Sequence, residues 1–118
     1  MIVKTEDLIE APLDWAVAKC NGEDVSVIGK AVMLWIGKDS NVDYEPSTNW
    51  AQGGPIIDSE KIKLYPNDPV MPKAVLVPDL DVPHFYYRQY GPTILISAMR
   101  CYVASKYGDE IEIPDDLM

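Results

Sequence analysis

At 118 residues, 47% hydrophobic and 25% charged, the chain has the size of one domain, 1–118, with enough apolar material for a proper core. Its 19 acidic and 10 basic residues leave a net charge of −9, which disfavours direct binding to nucleic-acid phosphates or to an anionic membrane surface. That charge suits simple solubility, or an acidic mimic of nucleic acid that occupies a basic site on a partner.

Near the N-terminus, Thr5 is expected to cap a short turn through Leu8 and Ile9. A helix is predicted over 12–21, because Leu13, Ala16, Val17 and Cys20 recur at helical spacing behind Pro12. Asp14 and Lys19 complement its dipole, and Gly22 can close it in the left-handed conformation. Trp15 lies about 150° from the apolar stripe, so it packs on a second element or stays partly exposed. "VSVIGKAVMLWIG" predicts a hairpin of 25–28 and 31–36 turning at Gly29-Lys30. Its second arm is apolar on both faces, which marks a central strand. "KDSNVD", 38–43, is read as a polar loop.

The stretch "YEPSTNWAQGGPIID", 44–58, is dense in special residues. Ser47 or Thr48 can cap a single turn through Trp50 and Gln52. Gly53 and Gly54 would then reverse the chain, and Pro55 would set an extended exit. "KIKLY" reads as a short strand. Prolines 66, 69, 72, 78 and 83 follow, so any strand among them is short or at an edge, with "KAVLV", 73–77, the candidate. "HFYYRQY", 84–90, can form another strand. "GPTILISAMRCYVASKYG" predicts a helix over 92–107 that is apolar around most of its circumference and therefore central. "DEIEIP" adds a terminal strand and an acidic tail. The expected class is α+β: one small, mainly antiparallel sheet of about four strands, packed by the 92–107 helix with the 12–21 helix beside it.

Candidate chemistry is sparse. The one histidine, His84, stands near Asp79 and Asp81, but no zinc spacing exists and no metal is expected. No nucleophile elbow or phosphate loop is present, so no catalytic residue and no cofactor is assigned. Cys20 and Cys101 lack CxxC spacing and sit in helical patterns, as free apolar thiols do. No charged-then-apolar leader and no run of about 18 apolar residues is seen, so a reducing cytoplasm is the expected compartment. The residues best suited to a polar small-ligand pocket are Asn49, Trp50 and Gln52, with Trp15 and the Tyr86 and Arg88 side chains. Tyr86 can stack on a ring and Arg88 can clamp a carboxylate. Each residue of the 44–58 stretch also has a mechanical reading, with Trp50 as a plug and the glycines as a reversal.

Three blocks, "LDWAVAKCNG" at 13–22, "YEPSTNWAQGGPII" at 44–57 and "AMRCYVASKYGDEIEIP" at 98–114, together resemble the NinX-like family of small phage and prophage proteins. They cover roughly a third of the chain. The proline-rich 66–83 segment has no counterpart in them, so any role it has is expected to be particular to this chain. The resemblance implies an accessory product of a lambda-like phage or prophage, acting in the bacterial host cytoplasm. It brings no catalytic or binding residues with it. A non-catalytic protein that binds a host or phage macromolecule is the leading expectation. A small-ligand binder or enzyme built on the 46–54 loop, and the acidic mimic, are the alternatives. The aromatic residues leave room for a homodimer.

Overall fold

In chain order the computed structural model contains β1 (Ile2–Lys4), α1 (Glu10–Asn21), β2 (Val25–Ile28), β3 (Ala31–Trp35), β4 (Asn41–Asp43), α2 (Trp50–Glu60), β5 (Lys63–Tyr65), β6 (Lys73–Leu76), β7 (Tyr87–Tyr90), α3 (Ile94–Tyr107) and β8 (Glu110–Glu112). Single 3-10 turns lie at Thr5–Asp7 and Asp115–Leu117. All residues are described except Leu80, Pro83 and His84, so the Asp79–Asp81–His84 grouping falls partly outside the described residues.

The helix α3 organises the molecule. Thr93 starts it by accepting the Ile96 N–H at 3.1 Å, and Gly108 stops it with φ of 80°. Every residue from Leu95 to Ala104 is buried, so the helix needs cover on all sides. It packs on α1, on α2, on the β5–β6–β7 sheet and on the Thr5–Asp7 turn. Leu8, Leu13, Val17, Met99, Val103 and Ile113 are the largest apolar side chains at its centre.

The class is α+β, but the strands form three antiparallel sheets instead of one: β1–β8, β2–β3–β4 and β5–β6–β7. Strands of three to five residues separated by prolines and turns cannot extend one continuous ladder. They cover an all-apolar helix in separate patches. In the second sheet β3 is central, as its two apolar faces required, and Val25, Val27, Val32 and Leu34 pack on the core. Its third strand corrects the reading of 38–43 as loop, because Asn41–Asp43 pair with Trp35, Leu34 and Met33. An edge strand solvated on both sides has no apolar alternation to reveal it. In the third sheet β6 is short and lies centrally between β5 and β7. Pro72 and Pro78 stand just outside it, so its interior keeps every N–H.

The 3-10 turn and β1 correct the N-terminal expectation. Thr5 caps nothing; it is buried, and its hydroxyl donates to the Gly108 carbonyl at 2.6 Å. The terminal ammonium donates to Glu112 and Asp115, which clips the two chain ends together beside the β1–β8 pair.

The largest correction falls on 50–60. The helix α2 runs straight through Gly53, Gly54 and Pro55, where a single turn and a reversal were expected. Neither glycine has positive φ. Its cap is Asn49, whose side chain accepts the Ala51 N–H at 2.9 Å, and not Ser47 or Thr48. Its exit is Lys61 in the left-handed conformation, with φ of 53°. Gly53 is small for contact reasons: a Cβ there would strike the Pro46 carbonyl oxygen and lie 2.8 Å from Leu95 Cδ1. Helix α2 can therefore press its backbone onto the preceding loop and onto α3. That packing outweighs the backbone hydrogen bond that Pro55 cannot donate.

Candidate functional site

The loop before α2 is braced by side chains that fold back on it. Gln52 accepts the Glu45 N–H at 2.7 Å through its carbonyl oxygen and donates to the Asp43 carbonyl at 2.8 Å through its nitrogen. Asn49 is engaged as the cap. Both amides proposed for a ligand thus already hold the chain. Trp50 follows directly and is 52% exposed, so it does not plug the core. Tyr44, Pro46 and Ser47 fill that role instead.

Under the same loop lies Asp14 of α1, buried, with its carboxylate accepting the Ser47 N–H at 2.9 Å. Burial pushes its pKa up to about 6; Ser47 opposes the shift, and Glu45 and Glu10 add to it by repulsion. The Ser47 hydroxyl is buried without a hydrogen-bond partner among the described residues. Sequence reading placed Asp14 as a helix-dipole residue and missed its burial. At 100° per residue Asp14 stands outside the stripe of Leu13, Ala16, Val17 and Cys20, so no local pattern marked its burial.

The other predicted residues lie on different elements. Trp15 is half-buried on α1, with the Lys19 ammonium 5.2 Å from its ring centroid. Tyr86 is 48% exposed just before β7. Arg88 is exposed on β7, its guanidinium 5.8 Å from the Tyr90 ring. Of five surface clefts, none is lined by two of the six predicted residues.

Gln52 lines one cleft, and Arg88 lines another of about 350 Å³ that Arg100 of α3 also borders. Arg100 is 9% exposed, with Nε donating to the Leu8 carbonyl and Nη1 to the Tyr90 carbonyl, each at 2.7 Å. The sequence reading assigned Arg100 no role. A lone cation inside an otherwise enclosed helix was the available signal.

Burial raises the Cys20 and Cys101 thiols to about 12. Cys101 also donates to the Ala74 carbonyl at 3.0 Å. Both cysteines are free in this structure. Native protein at neutral pH should therefore react with iodoacetamide far more slowly than unfolded protein, by at least about a hundredfold, since the thiolate is the nucleophile. Mass spectrometry of timed samples measures this, and fast native labelling of Cys101 would contradict its burial.

Among the described residues, no cluster of three or more His, Cys, Asp or Glu side chains is placed to hold a metal ion. No helix among them is long and apolar enough to cross a membrane.

Among the described residues, three helices covered by three small antiparallel sheets, with braced loops and shallow clefts, define a small α+β protein. Residues 4–106 match the family described as Bacteriophage P22, NinX, and the chain belongs to that family. The matched range spans the proline-rich 66–83 segment. It stops before 107–114, which had formed the end of the third resembling block. None of the curated proteins matches the chain.

Proposed function

We propose that this phage-family protein is a non-catalytic accessory protein that binds a host or phage macromolecule in the host cytoplasm, with Trp50 as an anchor. The observation supporting this is the placement of Trp50. An indole 52% exposed stands at the first position of a helix held by the Asn49 cap, the Gln52 brace and the Gly53 contact. Large aromatic side chains on rigid supports bind at low entropic cost and supply much of the energy at protein interfaces. Against the acidic-mimic reading, positive groups are set among the acids of 109–116: the terminal ammonium bonds Glu112 and Asp115, and Lys4 shares a cleft with Asp109 and Glu110.

The test is capture from an infected host with the wild-type protein and with Trp50→Ala, followed by affinity measurement on the purified pair. The expected result is a stoichiometric partner whose affinity falls about 30-fold in the variant, the effect of a ~2 kcal/mol anchor. Equal binding by the variant would remove Trp50 from the interface. Repeated recovery of no partner by folded protein would overturn the binding role itself.

A further inference from the structure

The β5–β6–β7 sheet has two unlike faces. Leu64, Ala74, Leu76 and Tyr87 belong to the core side, where α3 packs on the sheet. The register puts the alternate residues on the other side. Tyr65, Lys73 and Tyr90 form one cross-strand row there, and Lys63, Val75 and Arg88 form the next. Lys63 and Arg88 are exposed, Tyr65 is 43% exposed, and Lys73, Val75 and Tyr90 are half-buried. These six positions hold three of the chain's ten cations and none of its 19 acids. The net charge of −9 therefore belongs to the other surfaces. Acids stand beside this face and not on it: Asp68 pairs with Lys73 at 3.2 Å, and Glu6 and Asp7 border the cleft that Arg88 lines. Each tyrosine has a cation at its ring. The Lys73 ammonium is 4.9 Å from the Tyr65 centroid, and the Arg88 guanidinium is 5.8 Å from that of Tyr90. The two tyrosines flank Lys73 on the outer strands, with backbones about 10 Å apart.

We propose that this outer face binds single-stranded nucleic acid, with bases stacked on Tyr65 and Tyr90 and phosphates taken by Lys63, Lys73 and Arg88. Aromatic rings stack on any base, provided that the base is unpaired, and cations beside them track the backbone. The long side chains of Lys73 and Arg88 can leave their rings for a phosphate when a base takes their place. Val75 gives an apolar floor between Lys63 and Arg88. An acidic polypeptide would satisfy the cations, but it brings no flat groups for the rings, so the tyrosines favour nucleic acid. The negative charge of the other surfaces opposes the approach of phosphates, which keeps the binding modest and short-ranged. The face lies on different elements from Trp50 and is tested on the purified chain alone, so it stands or falls independently of the Trp50 anchor.

The probes are a fluorescent oligothymidylate of about ten nucleotides, the same strand annealed to its complement, and fluorescent polyglutamate of matched length. Fluorescence anisotropy should show saturable binding of the single strand, at least about fivefold tighter than binding of the duplex or the polyglutamate. An oligouridylate repeats the measurement for RNA, and binding of either type of strand supports the proposal. Three neutralised phosphates give a slope of about −2 for log affinity against log salt. Tyr65→Ala should weaken binding at least about fivefold, the loss of one stacked base, whereas Tyr65→Phe keeps the ring and the affinity. Arg88→Gln should reduce the slope to about −1.4. Asp68→Asn releases Lys73 and should tighten binding. Tyr90→Ala should match Tyr65→Ala; if it does not fold, the exposed positions Tyr65 and Arg88 decide the matter. Absence of saturable binding, equal binding of the duplex, or affinity unchanged in both Tyr65→Ala and Arg88→Gln would overturn the proposal. Polyglutamate bound as tightly as the single strand would overturn it in favour of an acidic protein, and self-association abolished by Tyr65→Ala would overturn it in favour of a second copy of the chain.

Discussion

Gly53→Ala should destabilise the protein by about 3 kcal/mol, whereas Gly54→Ala, one residue away, should stabilise it by about 0.5–1 kcal/mol. In an ordinary helix both changes help, because alanine loses less backbone entropy on folding than glycine does. At Gly54 nothing lies within 4 Å of the added methyl, and the backbone is already one that alanine adopts, so the ordinary gain applies. At Gly53 the methyl meets the Pro46 carbonyl oxygen and Leu95 Cδ1. A carbonyl in the backbone of a braced loop cannot turn aside like the end of a flexible side chain. Relief requires α2 to lift away from the loop and from α3. Urea melts of the two variants measure the pair, and for a chain of this size the Gly53→Ala loss corresponds to a fall in Tm of about 10 °C. Equal and small effects at both positions would show that α2 does not press on the loop.

Asp14→Asn should stabilise the protein at pH 7 by about 2 kcal/mol, and the advantage should disappear below about pH 4. The folded Asp14 holds its proton up to about pH 6, while the unfolded carboxyl releases it near 3.8. Between those values the folded state binds more protons than the unfolded state, so the contribution of Asp14 to stability is fully present below the window and declines as pH rises through it. Above about pH 6 the native state carries a buried carboxylate whose nearest neighbours include Glu45 and Glu10 and no cation within ion-pair distance among the described residues. Asparagine removes the charge and keeps an oxygen to accept the Ser47 N–H. Its amide nitrogen can donate to the Ser47 hydroxyl oxygen, which is buried without a partner. The informative quantity is the difference between the two proteins from pH 4 to pH 8, since other groups cancel in it. A variant equally destabilised at every pH would show that the Asp14–Ser47 contact needs the charge.

Helices α1 and α3 and the β2–β3 hairpin were legible within about two residues, because each is written in a local period with punctuation at its ends. Leu13, Ala16, Val17 and Cys20 spell a helical face; Pro92 and Gly108 punctuate α3, although Thr93 is its cap; Gly29 turns the hairpin with φ of 65°. The resembling blocks also led to the right family. Helix α2 was misread because Gly-Gly-Pro is locally a signal to turn. What keeps it helical is the fit of Gly53 against Pro46 and Leu95, and Leu95 stands 42 positions further on. Strands β1 and β4 were missed because Ile2–Lys4 and Asn41–Asp43 show no apolar alternation, unlike the equally short β5 and β8, and only their partners define them. Of the candidate residues, Gln52 and Arg88 line two separate clefts.

By itself the sequence determined the α+β class, the two principal helices, the enclosure of α3 and the family, because these follow from composition, short-range periodicity and contiguous strings of residues. Only the tertiary structure decided that the strands divide into three sheets, that Asn49 and Gln52 brace a loop, that Trp50 faces outward, and that Arg100 is held by the carbonyls of Leu8 and Tyr90. The longest of these contacts join groups far apart in the chain, such as Arg100 against the Leu8 carbonyl across 92 positions. The free energy of such a contact belongs to the packed arrangement of both partners, and neither partner carries a local pattern that records it.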